Sequence, residues 1–455
     1  MLFINKKLKT MTCFILKFLN SGSLPKVVIL SMFFLIHFTA YSVPNEPEKT
    51  GTDWKFYSQR AEVAPAHWID MKLQYKGNPS LAISGDGKDY TNGSWVSIVD
   101  VISGKNYKFN CFFKQKNVDE QNRSILAYII WQGKDGKRIN QSEYPPTLRE
   151  LSEDGWNIIQ QIYTAPEKAV TAKIELIYRW DKDGSVYFNN ISLLEAPQLG
   201  SRFVNLATIH HRPKNSGSTE DNLNQFAELL SVAANKKADI VCLPEAITLV
   251  GTDKSYIEVS ETVPGPTTDF LGKIAKENNM YIVAGILERD GHAVYNTAIL
   301  LDRGGKLAGK YRKVALPREE IEGGVAPGSS IPVFDTDFGR IGIMICWDVF
   351  FPEVARMLAV QGAEVVFLPI WGGNLTLAKA RAIENQVYLV SSTYDMKTGV
   401  FNPEGELIKE GTDEEPVVVT RIDLAKHKIW PWLGDFKNRI PREIPSSKLV
   451  KYYWK

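Results

Sequence analysis

Two rhythms divide the chain. From about residue 53 to residue 197, short runs alternate apolar with polar positions or are rich in β-branched residues. Examples are Ser94-Trp-Val-Ser-Ile-Val-Asp-Val, Tyr107-Lys-Phe-Asn-Cys-Phe-Phe, Ile125-Leu-Ala-Tyr-Ile-Ile-Trp and Ala172-Lys-Ile-Glu-Leu-Ile-Tyr. A period of two sends successive side chains to opposite faces of a strand. Turn residues separate the runs at Gly85-Asp-Gly87, Ser103-Gly104, Lys134-Asp-Gly136, Asp154-Gly155 and Asp183-Gly184. Short strands at this spacing predict an all-β domain over 53–197, a sandwich or jelly roll. Past the junction Gln198-Leu-Gly-Ser-Arg202 the rhythm changes. Strand-like runs at 203–209, 238–244 and 280–286 alternate with helical spacing at 222–235 and 267–278. That alternation predicts an α/β layered domain over 200–455.

The N-terminus reads as an address. Lys6, Lys7, Lys9, Lys17 and Lys26 precede an apolar run at 27–40, and Ala40-Tyr41-Ser42 offers small residues two apart. The run is short for a bilayer span, so residues 1–42 are expected to be a signal peptide, with Met11 an alternative start. Residues 43–52 read as a linker. The expected location is therefore the periplasm or the outside of the cell, with an uncleaved membrane anchor as the alternative.

Composition adds little to this. Apolar residues make up 44% and charged residues 23%, which suits well-cored globular domains. With 54 basic and 52 acidic residues the formal charge is +2, and no nucleic-acid partner is expected. Four cysteines are present; Cys13 falls in the leader, and Cys111, Cys242 and Cys346 are too widely spaced for a disulfide framework. His210 and His211 are adjacent, His67, His292 and His427 are isolated, and HExxH is absent from the sequence. No metal and no cofactor are expected.

Three segments carry candidate chemistry, each closing an apolar stretch. In Arg340-Ile-Gly-Ile-Met-Ile-Cys346-Trp347-Asp348 a thiol stands where a strand hands over to a turn, followed by helical character from Pro352. A cysteine there suits a nucleophile, and equally a small buried hydrophobe. In Asp239-Ile-Val-Cys-Leu-Pro244-Glu245 a carboxylate follows a strand, where partial burial suits a general base. In Lys310-Tyr-Arg-Lys313 an ammonium closes an extended segment, suited to stabilising an oxyanion and favouring a thiolate.

Taken together, in the order Glu, Lys, Cys, the motifs resemble the nitrilase, or carbon–nitrogen hydrolase, superfamily. Tyr295-Asn296-Thr297-Ala-Ile-Leu-Leu-Asp302, Gly362-Ala-Glu-Val-Val-Phe-Leu-Pro369 and Arg381-Ala-Ile-Glu384-Asn385 extend the resemblance over about 202–440. It implies a four-layer α-β-β-α sandwich for the second domain. It also implies Cys346 as nucleophile, Glu245 as the base that takes its proton, and an oxyanion held by Lys313 and the backbone N–H of Trp347. Glu322 resembles the family's second glutamate, which orients the lysine, with Glu319 and Glu320 as rivals. Trp371 and Asn374 are candidate pocket residues. Glu353 with Arg356, and Arg381 with Glu384, read as structural pairs. Members of the family commonly form dimers, so a homodimer is expected.

The first domain, with its closing Gly184-Ser-Val-Tyr-Phe-Asn-Asn-Ile-Ser-Leu-Leu, resembles galactose-binding-like carbohydrate-binding modules. A glycan is its implied partner. Trp68, Trp95, Trp131 and Trp156 suit sugar stacking, and suit a sandwich core as well. Nitrilases proper usually carry Cys-Trp-Glu, whereas this chain has Cys346-Trp347-Asp348, which leans towards amide or N-carbamoyl substrates. The expected function is hydrolysis of linear C–N bonds through a cysteine thioester. Acyl transfer to an amine, nitrile hydrolysis and non-catalytic glycan binding are the alternatives.

Overall fold

The computed structural model describes residues 53–426, 429–430 and 432–445. The expected signal peptide, the expected linker and His427 lie outside the described residues. The described chain is mixed α/β and mostly strands.

Residues 55–196 form two antiparallel sheets. The four-stranded sheet runs in the order Lys55–Tyr57, Asn92–Asp100, Thr171–Arg179, Ile125–Gln132. The six-stranded sheet runs Ala66–Tyr75, Asn78–Ser84, Ser185–Ala196, Asn106–Lys116, Asn157–Thr164, Thr147–Leu151. The inward positions of the alternating runs supply one shared core, with Trp95, Trp131 and Leu176 from the first sheet and Ile83, Phe109, Phe113 and Phe188 from the second. Trp131 and Trp156 are fully buried and Trp95 nearly so, which removes three of the four tryptophans considered for sugar stacking; Trp68 is exposed. Their large apolar area is worth more inside than out.

Two further six-stranded sheets follow. The first has the order Leu307–Arg312, Ala293–Leu301, Tyr281–Asp290, Ile240–Cys242, Phe203–Ile209, Val417–Asp423. The second has the order Val333–Asp335, Arg340–Ile343, Val365–Ile370, Tyr388–Thr393, Thr398–Phe401, Leu407–Gly411. Parallel pairs at their centres are apolar on both faces, as strands covered on two sides must be. Leu206, Cys242, Val283 and Leu300 of the first sheet share a core with Ile343, Phe367 and Val390 of the second. One residue along the same strands, Ala207, Val241 and Ile282 pack instead with Phe226, Leu230 and Leu271 of two helices. Those helices are Thr219–Asn235, capped by the Ser218 side chain, and Pro266–Asn278, which starts on a proline. On the second sheet, Val354 and Leu358 of Pro352–Val360 and Ala378 and Ala382 of Leu375–Asn385 complete the packing.

Candidate active site

Three strand ends bring the chemistry together. Ile240–Cys242 is followed by Leu243, Pro244 and Glu245; Lys313 follows Leu307–Arg312 directly; Arg340–Ile343 leads through Met344 and Ile345 to Cys346. Gly285, on the strand beside the first, lets the backbones close in: a Cβ there would sit 2.7 Å from Glu245 Cα. Its amide donates to Pro244 O at 3.2 Å and its carbonyl accepts from Ile247 N at 2.9 Å, which fixes the turn that presents Glu245.

The backbone is strained at both ends of the pair. Ala246 has φ 50 and Cys346 φ 42, in the left-handed region that non-glycine residues enter at a cost of ~1–3 kcal/mol. Asp348 holds the cysteine turn. Its carboxylate accepts from Ile345 N at 2.9 Å, Tyr311 Oη at 2.7 Å and Ala315 N at 3.0 Å, tying the turn to the segment just after Lys313. Burial pushes the Asp348 carboxyl up to about 6, against the pull of those three bonds.

Lys313 is wholly buried, with Nζ 3.0 Å from Glu245 Oε1 and also bonded to Glu320 Oε1. Burial by itself favours loss of its proton; the charges of Glu245 and Glu320 outweigh that and hold it as an ammonium. Glu245 is 3% exposed and accepts at every turn. Oε1 takes Asn296 Nδ2 at 2.7 Å, Oε2 takes Trp371 N at 2.9 Å, and its carbonyl takes Tyr394 Oη at 3.0 Å. Cys346 stands beside Glu245 and aims its S–H at Gly372 O, 3.7 Å away. Its thiol is pushed well above the ordinary range, first by burial and then by the negative charge of Glu245, with Lys313 pulling the other way. The resting sulfur therefore keeps its proton, and nucleophilicity has to come from a base that removes it during attack.

Glu322 is not the second glutamate of this site. It is exposed and accepts from Arg318 Nε at 2.7 Å, one turn away on the helix Arg318–Glu322. Glu320, 5% exposed, turns inward to Lys313. Two residues along a helix point to nearly opposite sides, so only one of the two can face the lysine. Burial, and the charge of Glu245, push the Glu320 carboxyl up, while Lys313 and Asn296 pull it down.

Asn374 is exposed, and its Oδ1 accepts from Leu377 N at 3.1 Å and caps the helix Leu375–Asn385. Trp371 reaches the site through its backbone, while its ring lies edge-on to Tyr394 at 5.1 Å. The Trp347 ring is part-exposed and lies tilted against Phe350, with ring centroids 4.6 Å apart. Arg381 and Glu384 pair at 2.8 Å, and Glu384 is also the carboxylate whose charge reaches Arg356, in place of Glu353. His210 contacts Thr398, and His211 contacts Gln225. Asn296 and Tyr394 received no role from the sequence. An asparagine at a buried position of the largely apolar strand Ala293–Leu301 was the signal available for Asn296.

The family described as carbon-nitrogen hydrolase matches residues 204–431. Among curated proteins, omega-amidase NIT2-B of Xenopus laevis is 33% identical over 248 residues, covering 49% of this chain and 87% of that protein. Human omega-amidase NIT2 is 32% identical over 253 residues, covering 50% and 89%. A nitrilase of Pyrococcus abyssi is 35% identical over 227 residues, covering 45% and 84%. Among solved structures, an amidase from Nesterenkonia sp. aligns with a TM-score of 0.46 at 21% identity, over 57% of this chain and 98% of that one.

Proposed function

The chain belongs to the carbon–nitrogen hydrolase family, and from that premise we propose that it is an exported amidase that hydrolyses small amides through a Cys346 thioester. The observation that carries this reading is the buried Lys313 ammonium, bonded to Glu245 at 3.0 Å, next to a cysteine on a strained turn. Glu245 removes the S–H proton as sulfur attacks the amide carbonyl carbon. The oxyanion of the tetrahedral intermediate is stabilised by Lys313 and the backbone N–H of Trp347. Collapse breaks the C–N bond, and Glu245 returns its proton to the departing ammonia. Water, deprotonated by Glu245, then attacks the thioester, releasing the acid and restoring the thiol.

The relatives named omega-amidases, and the Cys346-Trp347-Asp348 turn, support a chain-terminal amide over a nitrile. Export rests on the leader pattern of residues 1–42. We further take the paired sheets of residues 55–196 to be a jelly-roll module for glycan, with exposed Trp68 as its remaining stacking residue, and the later sheets to be the inner layers of an α-β-β-α sandwich. The exposed side chains of Phe350, Phe351 and Met357 support a homodimer, which light scattering of the mature chain tests. The reaction is tested by ammonia release from primary amides, N-carbamoyl compounds and nitriles, with Cys346→Ala as control and mass spectrometry of products with and without added amine. Ammonia from amides, lost in Cys346→Ala, is the expected result. Amide turnover that survives the substitution, or an amine adduct as sole product, overturns it.

A further inference from the structure

Asn296 sits 2% exposed at the centre of the site and belongs to none of the steps above. Its one NH2 group donates both its hydrogens to carboxylates: Glu245 Oε1 at 2.7 Å and Glu320 Oε1 at 3.2 Å. Its backbone carbonyl takes the amide N–H of Lys313 at 2.8 Å. One residue thus touches the base, its companion glutamate and the lysine. Its Oδ1 is buried and has no hydrogen-bond partner among the described residues, as is true of Glu320 Oε2. Turning the amide over would aim Oδ1 at two carboxylate oxygens, so the electrostatics fix the orientation seen.

The charges explain why such a group is needed. Two carboxylates share a single buried ammonium, and burial together with the charge of Glu245 favours proton uptake by Glu320. A protonated carboxyl here is a poor base and a poor partner for Lys313. We propose that Asn296 is a positioning residue for the reaction, its amide clamping Glu245 and Glu320 side by side around Lys313 so that Glu245 faces the cysteine ready to accept a proton. This rests on the reading of Glu245 and Cys346 given above. The other titratable groups facing the clamp are Lys313 and Cys346, with the phenol of Tyr256 at the edge.

The test is Asn296→Leu, which keeps the shape and the backbone bond to Lys313 and removes both donors. Bonds to charged groups of this kind are worth roughly 10–100-fold, so kcat/KM at neutral pH should fall by that amount with KM little changed. The acid limb of the pH profile should also move up, because Glu320 loses the Asn296 donor that holds its carboxyl down and binds a proton more readily. In a Glu320→Gln background, where one of the two charges is gone, the same substitution should cost several-fold less. Should Asn296→Leu not fold, Asn296→Ala is measured in its place. An equal loss at every pH, with the acid limb unmoved and no difference between backgrounds, makes Asn296 merely structural and overturns the proposal. Glu245→Gln and Cys346→Ala run alongside. If both keep wild-type activity, the underlying reading fails and this inference with it; if both are inactive while Asn296→Leu leaves the limb in place, this inference alone fails.

Discussion

Glu320 and Glu322 have the same side chain, stand on the same helical turn, and meet opposite surroundings. Glu320 is buried against the Lys313 ammonium, where a charge-assisted bond is shielded from water. Glu322 forms an exposed pair with Arg318, of the sort that contributes little. Glu320→Gln is therefore expected to lower kcat/KM by ~10–100-fold, since the lysine loses one of its two counter-charges. Glu322→Gln should stay within about 2-fold of wild type. Steady-state amide hydrolysis by the two variants side by side decides it. Equal effects would mean that the short turn rearranges in solution and that Glu320 does not engage the lysine.

At the scale of elements, the site depends on how closely two strands approach. Gly285 faces the backbone of Glu245, and a methyl group there meets Glu245 Cα at 2.7 Å with Ala246 N and Pro244 O at 3.0 Å. Backbone atoms cannot step aside as a flexible side chain can. Gly285→Ala is expected to push the Glu245 turn outward, cutting kcat about 100-fold, as misplacement near 1 Å can. Overpacking should also lower stability by ~1–3 kcal/mol. Activity and a chemical melt of the same preparation test this, and a variant as active as wild type would mean the turn has slack. The strand ends themselves were legible in the sequence, because Glu245 and Cys346 each close an apolar run and Lys313 follows an extended segment. The choice of Glu320 over Glu322 was not legible, since the phase of a five-residue turn is set by what it packs on and not by its own periodicity. Asn374 followed by a helical run was a readable capping signal that the pocket assignment passed over. The buried tryptophans show a further limit: Trp95 and Trp131 lie in the core between the sheets and Trp156 is buried against Tyr75, which the sequence pattern alone does not assign.

At the scale of the whole chain, a late helix contacts the first pair of sheets. The helix Phe436–Glu443, capped by Asp435, returns to the paired sheets of residues 55–196, where Arg442 donates to Pro145 O at 2.6 Å and lies over the Tyr144 ring at 5.3 Å. Glu143 sits at this contact, accepting from Trp131 Nε1 at 3.0 Å. Burial, and less so the negative charge of Asp435, push its carboxyl from 4.5 up to about 7. The sign follows from that rise: folding takes up a proton at Glu143, so its contribution to stability is complete below about pH 4.5 and is lost as pH climbs through about 7. Glu143→Gln keeps an acceptor for Trp131 and removes the titration. Wild type and variant should therefore melt together near pH 5, by the same linkage. Near pH 8 the variant should be the more stable by on the order of 2 kcal/mol, less than the full linkage because a part-buried carboxylate can turn towards water. Thermal melts at the two pH values read this as a gap of a few degrees that opens on the alkaline side. A gap of the opposite sign would show that Glu143 is held as an anion, and that a cation of the returning segment, Arg442 or Arg439, neutralises it in the folded protein.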